Sequence, residues 1–172
     1  MSELSADDSE PSIFNEQFGW KHVTTHVCSR KHTDSHEAEQ QSIRLDIGSD
    51  LQGNFINWLK GSKPSHPCLE NGCSSAITEA KVTMRSTPQT LMIFVAPEPL
   101  ASDSFPMALD LSMFRPKTSL ALKALIYLSD DGVYTTAVLK GTRWIKFTRQ
   151  SEFIEEELDV QDSKPLLVIY KE

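Results

Sequence analysis

Thr87-Pro88-Gln89-Thr90-Leu91-Met92-Ile93-Phe94-Val95 is the stretch on which the fold turns. A strand with one wet face alternates apolar and polar residues. An unbroken apolar run this short, bounded by a proline, reads instead as a strand buried on both faces. Leu91–Val95 therefore belongs inside a sheet, and its neighbours must be sought on either side in the sequence.

Toward the C-terminus the candidates come in quick succession. Ala108-Leu109-Asp110-Leu111 is a short strand and Leu120 to Leu128 a longer, imperfectly alternating one. Ser129-Asp130-Asp131-Gly132 is a hairpin turn, because Asp-Gly accepts positive φ. Val133 to Leu139, Arg143 to Thr148 and Leu166 to Tyr170 complete an antiparallel meander, with a second short helix expected at 150–158. The inward set should include Leu91, Ile93, Val95, Leu125, Tyr134, Val138, Trp144, Phe147, Leu167 and Ile169.

Toward the N-terminus, Ala80 to Ser86 alternates as a strand. Leu51, Phe55, Trp58 and Leu59 form one apolar stripe of a helix over 51–60, with Asp50 placed to cap it and Gly61 just past its end. Ser42 to Ile47 alternates as a half-buried strand. Cys28 to Gln41 is polar and reads as a loop, Ile13 to Val27 as one or two strands, and the acidic residues 1–12 as a disordered tail. The expected fold class is α+β, mostly β, with residues 13–172 as a single domain.

Composition narrows the function. The chain has 172 residues and a net charge of −7. Nucleic acid binding draws its affinity from Lys and Arg on phosphates, so nucleic acid is not the expected partner. No run of about 18 apolar residues predicts a membrane helix. The acidic N-terminus lacks the apolar core of a secretory signal. An intracellular protein of cytoplasm or nucleus is expected, where three cysteines stay reduced. No glycine-rich phosphate loop is present, and Glu155-Glu156-Glu157 reads as a solvated acidic run.

The order of these segments resembles the ubiquitin-specific proteases, a family of thiol peptidases. Thr87–Val95 looks like the family's palm strand, and Leu109-Asp110-Leu111-Ser112 like the element after it. Leu122-Lys123-Ala124-Leu125-Ile126-Tyr127 is similar to the next strand. Gly132-Val133-Tyr134 followed by Trp144-Ile145-Lys146-Phe147 resembles the family's Gly-His-Tyr and Trp-x-x-Phe motifs. Lys164 to Tyr170 resembles its closing strand. The resemblance covers roughly 18–171 and only the C-terminal half of the family's catalytic domain. It implies an antiparallel palm sheet with a finger-like, zinc-ribbon extension.

The resemblance also shows what is missing. A thiol protease needs a thiolate, an imidazole base and a group to orient the imidazole. The family's nucleophile box, Gly-Asn-Thr-Cys, has no match. Cys28 lies in Thr-His-Val-Cys-Ser-Arg-Lys-His and opens no apolar helix that would lower its pKa. Where the family carries its base, this chain has Val133, which cannot accept a proton. Where the orienting acid should follow Phe147, it has Thr148 and Arg149. The expectation is a relative of a cysteine deubiquitinase with no catalytic residues.

The histidines and cysteines carry the remaining signal. His22, His26, His32, His36 and His66 all lie in the first 66 residues, close to Cys28, Cys68 and Cys73. The resembling family carries two Cys-x-x-Cys knuckles, well apart, on its fingers. Here Cys28-x3-His32 and Cys68-x4-Cys73 stand in their place, and zinc accepts thiolate and imidazole together. His26 and His36 compete with His32, His66 sits two before Cys68, and a knuckle that has lost its metal is the alternative. The function implied is a non-catalytic module that binds ubiquitin or a ubiquitin-like protein. Two other readings are half of a deubiquitinase needing a separate N-terminal half, and a ubiquitin-independent β-rich scaffold using Trp20, Trp58 and Trp144. Core packing is the ordinary role of such tryptophans.

Overall fold

The computed structural model describes residues 13–45, 50–62, 64, 66–95, 105–113, 118–129, 131–149, 151–155, 158 and 164–172. The tail expected at 1–12 lies outside them. The elements in chain order are α1 (Ile13–Phe18), β1 (Trp20–Cys28), β2 (Thr33–Gln40), β3 (Ser42–Leu45), α2 (Leu51–Leu59), β4 (Ile77–Met84) and β5 (Thr90–Val95). They continue with β6 (Ala108–Asp110), β7 (Ser119–Leu128), β8 (Tyr134–Lys140), β9 (Arg143–Phe147), β10 (Glu152–Glu155) and β11 (Lys164–Lys171). The expected class, mostly β with short helices, holds.

Two sheets result. A three-stranded antiparallel sheet, ordered β2-β1-β4, forms the fingers. An eight-stranded sheet forms the palm, ordered β10-β9-β8-β7-β11-β5-β3, with β6 pairing β7 beside that path. All five segments expected in the palm are there. β5 lies inside the sheet, as its apolar run requires, with β11 antiparallel on one side and β3 parallel on the other.

One core runs beneath both sheets. Trp20 and Val82 of the fingers, Leu51, Phe55 and Leu59 of α2, and Leu91, Ile93, Leu125 and Tyr170 of the palm belong to a single buried cluster. The edge of the Trp20 ring meets Trp58 at 5.7 Å and Phe55 stacks on Trp58 at 6.2 Å, so α2 joins the sheets through aromatic contacts. Gln52 grips β6 at two points. Its amide nitrogen donates to the Asp110 carbonyl at 3.1 Å and its Oε1 accepts from the Asp110 N–H at 2.8 Å.

Several expectations need correction. Residues 33–40 are not loop but strand β2, which pairs along its whole length with β1. A polar sequence made it invisible: most of β2 faces solvent on both sides, so no apolar alternation marks it. Residues 13–18 are a helix rather than strand. Residues 152–155 are strand β10, not helix; they pair with β9, and Lys146 reaches Glu155 at 2.5 Å. Glu155 is thus tied into the sheet rather than wholly solvated. Asp50 sits at the helix start with extended backbone but makes no side-chain cap bond.

The inward set was half right. Leu91, Ile93, Val95, Leu125 and Trp144 are buried, whereas Tyr134 and Phe147 are 66% and 42% exposed. On β8 the inward residues are Thr135 and Ala137, and on β11 Val168 and Tyr170, one position out of phase with Val138, Leu167 and Ile169. On β11, register irregularities in its pairing with β7, near Lys123 and Leu166, shift the alternation, whereas β8 pairs with both its neighbours without a slip. A bulge of one residue turns every later side chain to the other face.

His22 is only 6% exposed, with Trp20 at 5.2 Å and Trp58 at 6.0 Å. Burial, and secondarily the charge of His36 on β2, hold its pKa below the ordinary 6.5. The unfolded chain therefore takes up this proton first as pH falls. The stability His22 contributes is complete above about pH 6.5 and is lost on acidification below it. A His22→Asn variant should lose less of its urea midpoint than the parent between about pH 7 and 5; equal slopes would show that His22 titrates alike in the folded and unfolded chain.

Gly61, at the end of α2, has φ +70, and a Cβ there would meet Lys81 N at 3.1 Å and the Ala80 carbonyl carbon at 3.2 Å. Gly141 has φ +65 but opens onto free space. Both alanine variants carry the left-handed penalty of about 1–2 kcal/mol, and only Gly61→Ala must also push β4 away. Urea unfolding should place Gly61→Ala at least about 1 kcal/mol below Gly141→Ala; equal losses would remove the close approach as a constraint.

Candidate metal centre

Each candidate ligand pair sits on a tight turn of the fingers. Cys28 closes β1 and His32 immediately precedes β2. The Cys28 N–H donates to the His32 carbonyl at 3.1 Å, and the Lys31 N–H to the Cys28 carbonyl at 2.9 Å. Lys31 takes a left-handed φ of 66 to make this turn. The second pair lies just before β4. The Cys73 N–H donates to the Glu70 carbonyl and the Cys68 N–H to the Ser75 carbonyl, both at 2.9 Å, with Gly72 at φ 72. A bond from the Ser29 N–H to the Ala76 carbonyl at 3.1 Å draws the two turns together.

The side chains converge. Cys28, His32, Cys68 and Cys73 each offer one ligand atom, and all four atoms lie within 4.8 Å of one another. The Cys28 and Cys73 sulfurs are 4.0 Å apart, and Cys68 Sγ is 3.8 Å from His32 Nδ1. A tetrahedral zinc with Zn–S bonds of about 2.3 Å places its sulfurs roughly 3.8 Å apart. Donor types, number and spacing therefore fit zinc. All three cysteines are free thiols, with Cys28 and Cys73 buried.

Electrostatics point the same way. The Ser75 N–H and hydroxyl, with Cys68 and His32 alongside, pull the Cys73 thiol down to about 6. The Glu70 N–H also favours a thiolate at Cys68, but burial and the neighbouring Cys73 and Cys28 outweigh it and hold that thiol up. One thiolate thus forms readily and opposes a second, a conflict that a divalent cation relieves.

The remaining histidines are not in this cluster. His26 faces Asp34 across the β1–β2 ladder, and His36 lies opposite Thr24 farther along it. His66 has its Nδ1 2.9 Å from the Pro67 carbonyl. The His32 side chain completes the set because it is the one carried by the turn itself.

The positions at which the resemblance places a base and an orienting acid lie in the other sheet. Val133 precedes β8 and Thr148 follows β9. Thr136 faces Phe147 across the ladder, so both flank the same end of that pair. Asp131, the acid of the neighbouring turn, is engaged: its Oδ1 accepts from Ser129 Oγ at 2.5 Å and from the Val133 N–H at 3.2 Å. These bonds, the Ser129 hydroxyl foremost, hold its carboxyl below the usual range. All three cysteines are in the finger cluster, so no thiol accompanies Val133.

No family model and no curated protein matches the sequence. Solved structures do match. A chain in the SAGA DUB module Ubp8/Sgf11/Sus1/Sgf73 bound to monoubiquitin aligns over 98% of this chain with a TM-score of 0.76 and 15% identity. A chain in the same module bound to ubiquitin aldehyde aligns over 96% with a TM-score of 0.75 and 16% identity. In both, this chain spans 43% of the other. Identity this low shows a shared fold, and the fold is the one the sequence motifs led us to expect. No described helix is long and apolar enough to cross a membrane.

The metal set makes a direct prediction. The purified chain should carry one zinc by elemental analysis. Cys73→Ala should release it and cost roughly 3 kcal/mol or more of unfolding free energy, while His36→Ala should keep both metal and stability. A metal-free chain, or equal effects of the two variants, would mean that the four side chains converge without a cation.

Proposed function

We propose that the chain is a non-catalytic ubiquitin-specific-protease-like module that binds ubiquitin or a ubiquitin-like protein. One observation carries this reading: the fold likeness extends over nearly the whole chain to a chain in a complex that holds monoubiquitin. Residues 13–172 act as one unit in it, with palm and fingers forming the binding surface. Zinc on Cys28, His32, Cys68 and Cys73 would pin the finger tip, fixing a sheet whose outer strand buries little. Its thiols suit a reducing compartment, cytoplasm or nucleus.

The absence of catalysis rests on residue chemistry. A proton acceptor is required beside the thiolate. Val133 supplies none, and Thr148 and Arg149 offer no carboxylate to orient one. A second reading has its own support. The chain spans 43% of each of the two chains described above, as one half of a deubiquitinase would, with the nucleophile supplied by another segment. Val133 opposes it, since the base should come from this half.

Two measurements separate these readings. Titration with labelled ubiquitin and SUMO should give saturable binding to one of them. A ubiquitin probe with an electrophilic C-terminus should leave Cys28, Cys68 and Cys73 unlabelled. Binding of neither protein would end the proposal. Labelling of one cysteine that is lost on changing it to Ser would restore a catalytic role.

A further inference from the structure

β4 forms one edge of the fingers sheet, with β1 as its partner strand. Two bonds fix which way its backbone groups point. In an antiparallel pair, residues directly opposite one another alternate between exchanging both backbone bonds and exchanging none. The Arg85 N–H donates to the Lys21 carbonyl at 2.7 Å, and these two are the next opposite pair after His22 and Met84. The bonded pairs within the ladder are therefore Val23–Thr83, Thr25–Lys81 and Val27–Glu79. The far side of β1 agrees. The Cys28 N–H donates to the His32 carbonyl, which assigns the even residues of β1 to β2. Ala80, Val82 and Met84 thus turn their N–H and C=O groups away from β1, and among the described residues no bond reaches those groups.

These groups open into a groove. Residues 78–84 all line one cavity of about 960 Å³, whose other wall is α2, with Ile56, Leu59 and Lys60. Successive side chains of a strand point to opposite faces, so a groove that touches them all runs along the edge. Val82 is 6% exposed, which leaves its outward groups with little water as well as no protein partner. Burial of unpaired backbone groups is costly. Sheets ordinarily guard an open edge with charge, and β2, the opposite edge, carries Asp34, Glu37 and Glu39. On β4 the charges are Lys81 and Glu79, and Glu79 lies 3.6 Å from Lys31.

We propose that this edge takes an extended peptide of a partner protein as an added strand, one that alternates apolar and acidic residues. Backbone pairing supplies the affinity of such additions, and the flanking side chains supply the specificity. Residues directly opposite one another in neighbouring strands point to the same side. Side chains opposite Ala80, Val82 and Met84 therefore fall on the face that α2 covers. There a Cβ on Gly61 would come 3.3 Å from that of Ala80, and Leu59 and Val82 share the core. Side chains opposite Lys81 and Thr83 fall on the other face, beside the exposed ammonium of Lys81. Apolar residues suit the first side and carboxylates the second. Lys60 adds a second cation to the lining, and Glu79 is offset by Lys31. From Ala80 to Met84 the edge runs about 14 Å, enough to pair a strand of roughly five residues.

Fluorescence anisotropy with a labelled peptide that alternates valine and glutamate over about eight residues tests the proposal. Saturable binding to the purified chain is expected at or below about 100 μM. N-methylation of one alternate set of peptide amides should weaken binding about tenfold or more, and methylation of the other set should leave it within about twofold, because one set alone faces β4. Lys81→Glu, at an exposed position that folding tolerates, should weaken this peptide about tenfold and admit a valine–lysine peptide in its place. Amide exchange of Ala80 and Met84 should be faster than that of Lys81 and Thr83 in the free chain and should slow when the peptide binds. Four results would overturn the proposal: no binding, equal effects of the two methylation patterns, indifference to Lys81→Glu, or a chain that pairs its own β4 edges into a dimer and excludes the peptide.

Discussion

The fingers depend on holding two turns together that are 45 residues apart in sequence, measured from Cys28 to Cys73. The sheet between them is thin. β2 has six of its eight residues exposed and β4 buries only Val82 fully. Hydrophobic burial there is too small to offset the entropy of ordering such strands. At the tip four ligand atoms converge in a set that fits zinc. Toward the base of the fingers, Trp20, His22 and Trp58 pack against one another.

What the sequence disclosed follows the same division. The palm strands were legible because their apolar runs are long and bounded by turn residues. Leu51, Phe55, Trp58 and Leu59 marked α2 because the helix has one wet and one dry face. β2 was hidden because nothing in Thr33–Gln40 needs to be inside. Its strand character comes from backbone pairing to β1, which leaves no trace in hydropathy. The side on which Leu167 and Ile169 fall was unreadable for another reason: it depends on where the β7–β11 ladder slips, and a slip near Lys123 carries no residue signature of its own. Tyr134 and Phe147 lie in ladders without a slip, and they are apolar residues on the outer face, so hydropathy could not tell the two sides apart. The second helix failed because the polar residues at 150–158 carry no helical stripe, while β10 is recruited by β9.

The metal set was more legible than its spacing promised. Neither pair has the regular two-residue knuckle, yet both irregular spacings fit short turns closed by their own backbone bonds. Lys31 accepts a left-handed conformation and Gly72 provides one at no cost, and each extra residue is absorbed there. Choosing His32 over His26 and His36 needed the register, since those two are committed to β1 and β2. Val133 immediately precedes β8, in the place the resemblance assigns to the imidazole, and a position before a strand tolerates valine as readily as histidine.

The path of the chain has a consequence for how such a module can be divided. It enters the fingers with β1 and β2, crosses to the palm edge as β3, returns through α2 to β4, and leaves for the palm again at β5. The fingers are therefore not an insertion in a palm, nor the palm an appendage of the fingers. Each is stitched from segments that the other separates. No single cut yields two self-sufficient pieces, so recombination could exchange this body only whole.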